Sequence, residues 1–445
     1  MPKLPQQLLN SLSQFEHFNA EAFVEAHKEE NKITSIRLNP FKKTDLNFEL
    51  NEIVPWSDGG FYLNKRPSFT HDPLFQAGCY YVQEPGSMFI EFALKQTIDL
   101  TKPLKILDAC AAPGGKSTLI NSLINEESLL VANEFIRSRA DVLAQNLSKW
   151  GTCNTVVTNN DTQKFTELTS FFDAIVIDAP CSGSGLFRKQ PDAIDQWSED
   201  NVTTCCTRQK KILADLIPSL KEGGVLVYST CSYSAEENEQ IVEWMIAEFD
   251  LDYLTLPIKK DWGIVETERG YRFYPHLTKS EGFFCAVLKK KSGEHARFMP
   301  KKKSALEVSK AELSILAPFL ELSDNLIIKK NALFHVLNLA ALNFLVAYEK
   351  QLYFKKAGAV VGEIKGKDMV PHHELALVIT INKDLPRLEL NEEQAVKFLK
   401  KENFTCESSK KGLVLVTYKN QGLGWAKVLP NRLNNYFPNE LRILN

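Results

Sequence analysis

The chain has 445 residues, of which 44% are hydrophobic and 24% charged, a composition typical of a soluble globular protein. This length exceeds that of one ordinary domain and predicts about two to four domains. Because 53 Lys and Arg residues nearly balance 55 Asp and Glu residues, the overall charge excludes binding of nucleic acid by a global field. A nucleic-acid partner would have to be bound by a local basic patch.

Neither secretion nor membrane insertion is predicted. Residues 1–15 carry no basic segment followed by an apolar core, so we expect no secretory signal. The longest apolar stretch, residues 332–347, is interrupted by polar side chains and is short for a membrane span. It is predicted to be a buried helix. We therefore expect a cytoplasmic protein without a membrane partner.

The first predicted domain spans residues 1–80. Helical patterns such as AEAFVEAHKEE are mixed there with the strand-like TSIRLNP, which predicts a small α/β domain.

The second predicted domain, residues 81–291, alternates short apolar runs with helical stretches. Strands that alternate with helices are typical of βαβ units, so we predict an α/β fold with a parallel sheet covered on both faces. One helix is predicted to begin at Lys116, and the next to end at Gly151. A hairpin-like segment at 282–291 is expected to close the domain.

A linker and two smaller domains are predicted for the rest of the chain. Residues 292–305 form a basic linker, residues 306–370 an intermediate domain, and residues 371–445 a β-rich domain. The glycines and aromatic residues of this last part are typical of a small barrel. The stretch 289–304 carries seven Lys or Arg residues against Glu294, and both a nucleic-acid patch and a solvated linker fit this charge.

Three consecutive predicted strands end in residues that fit an adenosine ligand. The segment 104–118, LKILDACAAPGGKST, contains a strand, a turn with Gly114 and Gly115, and a helix start. Its spacing matches neither a dinucleotide fingerprint nor a P-loop. The next strand is predicted to end at Glu134, which can accept from ribose hydroxyls, and the third at Asp161, which can accept from an adenine amino group. Either acid alone would be read as a turn or cap residue. Together they predict an adenosine whose reactive end is not a phosphate.

Two of the nine cysteines stand apart from the others. The chain has no C-x-x-C pair, which argues against a zinc ribbon and a disulfide framework, and we expect no metal site. Cys181 and Cys231 follow the fourth and fifth predicted strands, and sequential strands are usually neighbours, so both thiols should lie at one edge of the sheet. Buried structural roles are expected for the rest when each is considered alone: Cys79, Cys110, Cys153, Cys205, Cys206, Cys285 and Cys406.

Paired thiols beside an adenosine site fit one reaction well. A thiolate that adds to carbon 6 of a pyrimidine activates carbon 5 to attack an electrophilic methyl group. A base then removes the carbon-5 proton, and the thiol leaves. Asp178, three residues before Cys181, can hydrogen-bond the amino group and N3 of cytosine and stabilise charge that builds during addition. This chemistry alone does not decide which thiol attacks.

The motifs resemble those of one enzyme family and cover most of residues 80–290. The matching core strings are QEPGSM (83–88), CAAPGGKS (110–117), NEFIRSRADVLAQNLSKWG (133–151), DAPCSGSGLFRKQPDAIDQW (178–197), YSTCSYSAEENE (228–239) and RFYPHLTKSEGFFCA (272–286). In these strings the chain is similar to the S-adenosylmethionine-dependent RNA cytosine-5 methyltransferases of the RsmB/NOP/Sun family. The C-terminal GLGWAKVLPNRLNNYFP (422–438) resembles the PUA-like barrel of the RsmF-like 16S ribosomal RNA enzymes.

The resemblance implies a Rossmann-like catalytic core, an RNA-binding N-terminal domain and a set of site residues. Cys231 would be the nucleophile and Cys181 would assist release of the adduct. Asp178 would lie between cofactor and base, with Lys116 positioning the catalytic groups. The residues implied for S-adenosylmethionine are Cys110, Ala111, Ala112, Pro113, Gly114, Gly115, Lys116, Glu134 on the ribose, Arg139, Asp161 near the adenine, and Asp178.

The partner implied is ribosomal RNA or the small ribosomal subunit, bound by a monomer. A transfer-RNA cytosine-5 methyltransferase shares every catalytic residue, and only the appended domains favour ribosomal RNA. A DNA methyltransferase would lack the Thr-Cys motif. A ribosome-assembly factor that binds RNA without turnover is the alternative from another class, and the presence of both thiols argues against it. The modified cytosine is left open.

The basic stretch 289–304, together with the C-terminal barrel, is predicted to supply most of the RNA affinity. Neutralising three of its lysines should weaken binding and flatten its salt dependence by up to ~3 log-log units, because phosphate contacts release counterions. Cofactor affinity should stay the same. Titrations of RNA at several salt concentrations test this, and an unchanged salt slope would identify the stretch as a solvated linker.

Overall fold

The computed structural model describes residues 4–28, 33–293, 307–322, 325–404, 411–430 and 432–444. Most of the basic stretch 289–304 and Cys406 lie outside these ranges. In the N-terminal part, the strands form an antiparallel sheet in the order β2-β1-β3. The elements of this part are α1 (Gln6–Leu12), α2 (Ala20–Ala26), β1 (Thr34–Leu38), β2 (Gly60–Leu63), α3 (Pro73–Gln76) and β3 (Tyr80–Val82).

The central part alternates strands with helices, as the sequence predicts. Its elements are α4 (Phe89–Thr97), β4 (Lys105–Asp108), α5 (Gly115–Leu123), β5 (Leu129–Asn133), α6 (Arg137–Trp150), β6 (Thr155–Thr158), β7 (Phe172–Asp178), α7 (Asp192–Gln196), α8 (Glu199–Leu216), β8 (Leu220–Thr230), α9 (Glu239–Glu248), β9 (Leu251–Tyr253), β10 (Val265–Thr267), β11 (Gly270–Phe273) and β12 (Phe283–Lys290).

The C-terminal part contains two further four-stranded sheets, in the orders β13-β14-β16-β17 and β18-β19-β20-β21. Its elements are α10 (Lys310–Leu316), β13 (Asn325–Lys330), β14 (Leu333–Asn338), α11 (Leu339–Tyr348), β15 (Phe354–Ala357), β16 (Ala359–Lys365), β17 (Asp368–Pro371), β18 (Arg387–Glu389), α12 (Glu392–Lys400), β19 (Gly412–Tyr418), β20 (Gln421–Leu429) and β21 (Arg432–Asn435).

The central sheet confirms the predicted Rossmann-like fold. Its main path runs β10-β11-β12-β8-β7-β4-β5-β6-β15, and β9 pairs with β12. The strands β6, β5, β4, β7 and β8 are parallel. The first strand of this parallel group, β4, lies in its middle. The next two, β5 and β6, lie on one side of β4, and β7 and β8 lie on the other side. Ligands bind such sheets where the strand order reverses, at the carboxyl ends of the strands.

Both faces of the central sheet are buried, which explains the continuous apolar runs in its strands. An apolar layer covers each face of the sheet. Neighbouring residues of a strand point to opposite faces, so two consecutive rows of side chains across the strands pack into different layers. The first row is Leu107, Ile175 and Leu226, and the second is Ile106, Ala174 and Val225.

Two predictions about individual segments are wrong. Residues 332–347 do not form one buried helix, because β14 ends at Asn338 and α11 begins at the next residue. The Asn338 side chain caps α11 by accepting from the Ala341 N–H. This polar residue therefore ends the strand and starts the helix, a role that the apolar composition around it concealed.

The segment 282–291 is likewise not a hairpin. It contains one long strand, β12, which pairs antiparallel with β8 on one side and β11 on the other. The apolar residues of β12 are continuous because the strand lies inside the sheet, and no turn interrupts them.

Two helix ends lie as the sequence predicts. Helix α6 ends at Gly151, which adopts φ 92°, and α5 begins one residue before Lys116. A left-handed residue after a helix is a common stop and favours glycine. Among the described residues, none of the helices is long and apolar enough to cross a membrane.

Candidate active site

The carboxyl ends of the parallel strands bring the predicted site residues to one edge of the central sheet. Asp178 is the last residue of β7, and Cys231 follows directly after β8. Glu134 follows β5, and Asp161 lies three residues after β6. The loop 109–114 lies between them, after the central strand β4. Its position between the two acids and the two thiols makes it the centre of the site.

The loop after β4 is held by backbone contacts to its neighbours. Ala111 donates its N–H to the Asn133 carbonyl over 2.9 Å, and the Asn146 side chain donates to the Pro113 carbonyl over 2.8 Å. Gly114 adopts φ 114° directly before α5, and a Cβ there would lie 3.3 Å from Leu143. A larger residue would thus be strained by conformation and by packing. The loop shape is fixed without any ligand.

Glu134 is nearly buried, at 4% exposure, and is linked to this loop through Arg139. One carboxylate oxygen accepts from the Ile136 N–H over 2.9 Å. The other lies 3.7 Å from Arg139 Nη2, and that nitrogen also donates to the Ala112 carbonyl over 2.9 Å. Because 3.7 Å is longer than a hydrogen bond, this second oxygen retains capacity to accept from a ligand.

Asp161 has a structural role that accounts for one of its oxygens. It caps the short 3₁₀ helix 162–167 by accepting from the Gln163 N–H over 3.0 Å. The other oxygen lies 3.9 Å from Lys211 Nζ, and the side chain is 43% exposed. The cap interpretation is therefore correct, and a contact with adenine stays a prediction.

Asp178 and Lys116 form an ion pair at the end of β7. Lys116 Nζ lies 2.7 Å from one carboxylate oxygen, and Ser229 of β8 donates to the other over 2.9 Å. Burial by itself would lower the pKa of the lysine, but the charge and hydrogen bond of Asp178 outweigh it and raise this pKa. The side chain of Asp178 is 34% exposed, so it can still reach a ligand.

The two predicted thiols lie in contact. The Sγ atoms of Cys181 and Cys231 are 3.1 Å apart. The Gly185 N–H donates to the Cys231 carbonyl over 2.8 Å, and a Cβ at Gly185 would lie 2.7 Å from that oxygen, so only glycine permits the approach. The hydrogen bond with Cys231 and burial raise the pKa of Cys181 well above its usual value. A neutral Cys181 thiol can donate to a Cys231 thiolate.

Cys110, in contrast, is an unreactive member of the loop. Burial, with further contributions from nearby carboxylates, raises the pKa of its thiol far above the usual value. Such a thiol stays protonated and packs as a small apolar group.

Sequence reasoning missed two buried carboxyl groups. Asp108, the last residue of β4, accepts from Ser117 Oγ over 2.6 Å, and its other oxygen has no hydrogen-bond partner among the described residues. Burial raises the pKa of this group to about 7. Glu237 is also fully buried, and it accepts from Ser182 and Ser232. Asp108 could have been found as an acid at a strand end, whereas Glu237 lies in a polar string that resembles a surface turn.

No group of three His, Cys, Asp or Glu side chains that could hold a metal ion occurs in the part of the chain that the structure describes.

The site thus combines a Rossmann-like sheet, a loop after its central strand and two thiols at the strand ends where ligands of such sheets bind, and the family models identify this arrangement as that of a methyltransferase. Three family models match this chain. The 16S rRNA methyltransferase RsmB/F model matches residues 95–289, the N-terminal domain of 16S rRNA methyltransferase RsmF matches residues 4–85, and the methyltransferase RsmF PUA domain matches residues 385–443.

Relatives of similar length carry the same description. The ribosomal RNA small subunit methyltransferase F of Shewanella woodyi is 30% identical over 475 residues, covering 99% of this chain and 97% of its own. That of Aeromonas salmonicida is 32% identical over 432 residues, covering 92% and 90%. A solved structure of a methyltransferase homologue from Pyrococcus horikoshii is 29% identical, with a TM-score of 0.55, and covers 64% of this chain and 95% of its own.

The chain belongs to the ribosomal RNA small subunit methyltransferase F family. The resemblance inferred from the motifs is confirmed, as are the N-terminal and PUA domains. The protein is an rRNA methyltransferase.

Proposed function

We propose that the protein transfers a methyl group from S-adenosylmethionine to carbon 5 of a cytosine in 16S ribosomal RNA, through a covalent adduct between Cys231 and carbon 6. The observation that carries this proposal is the pair of thiols 3.1 Å apart beside the Asp178–Lys116 ion pair. Transfer to an oxygen or an exocyclic nitrogen of RNA needs no thiol, and addition to carbon 6 of a pyrimidine requires one.

The residues around the loop after β4 fit S-adenosylmethionine, which supplies an electrophilic methyl group. The rigid loop 110–115 would hold the methionine part, and the available oxygen of Glu134 would accept from the ribose hydroxyls. Asp161 would contact the adenine, and Arg139 would keep Glu134 and the loop together. With the adenine at β6 and the ribose at β5, the reactive end of the cofactor would lie toward β7, where Asp178 is.

Cys231 is the proposed nucleophile because the cysteine of the Thr-Cys motif has this role in the RNA cytosine-5 methyltransferases that the motifs resemble. The neutral thiol of Cys181 lies within hydrogen-bonding distance, and charge on Cys231 contributes to the raised pKa of Lys116. An ammonium group and a thiol donor both stabilise a thiolate. Cys181 keeps its proton during the attack and assists release of the adduct afterwards.

Asp178 is proposed to bind the target base while Lys116 and Ser229 fix its carboxylate. Both partners hold the carboxylate in position before the base arrives, so little reorganisation is needed as charge develops on the ring. The shared ion pair also places the carboxylate between the cofactor loop, which ends next to Lys116, and the thiols.

The choice of 16S ribosomal RNA rests on the family and on its two appended domains. Bisulfite mapping of total RNA from a deletion strain tests it directly. We expect one or more 5-methylcytosines to disappear from 16S rRNA and to return with the intact gene. Loss of a methylcytosine from transfer RNA alone would contradict the choice, and no change in any RNA would favour a non-catalytic assembly factor.

The two thiols should respond differently to substitution. Cys231→Ala should abolish both methylation and covalent trapping, because the adduct cannot form. Cys181→Ala should accumulate a protein–RNA adduct that survives denaturation, because the attack proceeds and release does not. Denaturing gels with labelled RNA measure both effects, and Cys206→Ala on α8 is a control that should behave as the wild type. Adduct formation by Cys231→Ala and none by Cys181→Ala would invert the assignment.

Asp178 and Glu134 should differ in kinetics. Asp178→Asn should reduce turnover by ~100-fold or more, since it removes a preorganised group that acts on charge formed in the transition state. Glu134→Gln should mainly weaken S-adenosylmethionine binding and leave appreciable turnover at saturation. Steady-state kinetics with varied cofactor at saturating RNA separates the two. Intact turnover with only a cofactor-affinity defect in Asp178→Asn would leave this residue no role at the base.

A further inference from the structure

Glu237 places a buried carboxylate directly behind the two thiols. It ends a short 3₁₀ helix, Ala235–Glu237, and its exposed fraction is 0%. The Ser182 N–H donates to one carboxylate oxygen over 2.7 Å. The Ser182 and Ser232 hydroxyls both donate to the other, over 2.6 and 2.5 Å. These hydrogen bonds favour the carboxylate form of Glu237 over the protonated acid.

These hydrogen bonds connect the two loops that carry the thiols. Ser182 is the residue after Cys181, and Ser232 is the residue after Cys231. A carboxylate that binds both serines therefore fixes the distance between the two sulfur atoms, which is 3.1 Å. Charge-assisted bonds of this kind are shorter and stronger than bonds between neutral groups.

Further contacts support the same arrangement on either side. Asn238, the next residue, accepts from Thr230 Oγ1 over 2.6 Å and donates to the Ser232 carbonyl over 2.8 Å. Ser184, in the Cys181 loop, accepts from the Tyr233 N–H over 2.8 Å. The Cys231 loop is thus held from both ends, and Glu237 is the charged group at the centre of these contacts.

In the described ranges, no basic side chain forms an ion pair with Glu237. Its negative charge is therefore not neutralised and can shift the pKa of nearby groups. Burial raises its own pKa, and the hydrogen bonds from Ser182 and Ser232 oppose this shift. The negative charge of Glu237 raises the pKa of four nearby neutral groups: Cys181, Cys205 and Cys206 of α8, and Tyr228 of β8. The adjacent Glu236 is a further carboxylate and contributes to the raised pKa of Glu237 itself.

We propose that Glu237 is a positioning residue that holds the two thiols in contact and, through its negative charge, keeps the proton on Cys181. This inference rests on the proposed division of roles between the thiols, because it explains how the protein selects one of two adjacent sulfur atoms. Glu237 is fully buried, so its proposed role is to position other groups.

The charge effect is tested on the free protein, without RNA, by limited alkylation with iodoacetamide between pH 6 and 10, with both cysteines followed by peptide mass spectrometry. In Glu237→Gln, the alkylation of Cys181 should begin at lower pH, and its rate at a fixed pH below the transition should rise about tenfold, the effect of removing one nearby buried charge. Glu236→Gln, an exposed neighbour with the same charge change, should alter the curve little.

The positioning effect is tested with phenylarsine oxide, which binds two thiols only when they lie close together. Glu237→Asp keeps the charge but withdraws the carboxylate by one methylene. We expect this variant to capture the arsenical about tenfold more weakly, and Glu236→Gln to capture it as the wild type does. Thermal unfolding identifies variants that fail to fold. If Glu237→Asp is one of them, Ser232→Ala, which removes the hydroxyl that donates to Glu237, replaces it in the capture test and should also weaken capture.

An unchanged Cys181 curve in Glu237→Gln, or undiminished capture by Glu237→Asp or by the Ser232→Ala variant that replaces it, would overturn the inference. Neither measurement involves RNA or methyl transfer, so their outcome is separate from that of the proposed function. If bisulfite mapping contradicted cytosine methylation, the thiol measurements would still decide whether Glu237 controls the pair.

Discussion

The parallel pairing of β7 with β8 determines the geometry of the whole active site. In this register Asp178 lies opposite Ser229, so both strands end at nearly the same height. The chain then leaves each strand in a short polar loop, and the first cysteine of each loop meets the other at 3.1 Å. A shift of the register by one residue would turn the strand side chains to the opposite face and separate the thiols. The apolar rows on both faces of the sheet prevent such a shift. Packing of the core therefore also fixes the contact between the two thiols.

The polar groups at this edge are arranged in two sets with opposite electrostatic effects. On the open side, the ammonium of Lys116 pairs with Asp178 and lies close enough to Cys231 to be affected by its charge. On the buried side, the carboxylate of Glu237 lies behind Cys181. The cation therefore acts on Cys231 and the anion on Cys181, and this difference can make two chemically identical side chains act differently.

Much of the fold and the site followed from the sequence because the relevant signals are local. The strand-end positions of Glu134, Asp178 and Cys231 can be read from apolar runs followed by a polar residue. Glu237 could not be found in this way, since a buried carboxylate within SAEENE looks like an exposed turn until its serine partners are known. The strand β15 was equally concealed: FKKA reads as a polar loop, yet Lys356 is buried in an ion pair with Glu374. In both segments the burial of a charged residue depends on partners that are distant in the sequence. Composition and periodicity do not indicate these partners.

The pairing of β15 with β6 makes the C-terminal half a structural part of the catalytic core. Side chains from β14 and α11, including Leu337 and Phe344, belong to the same apolar layer as the strands β4 and β7. Asn338 also donates to the Glu126 and Ser128 carbonyls, over 2.7 and 2.8 Å, beside the start of β5. A shortened chain that stopped at the end of β12 would leave β6 as a bare edge strand with an uncovered apolar layer, a combination that invites aggregation. In this chain, the C-terminal part therefore contributes to the folding of the catalytic core as well as carrying its own domains.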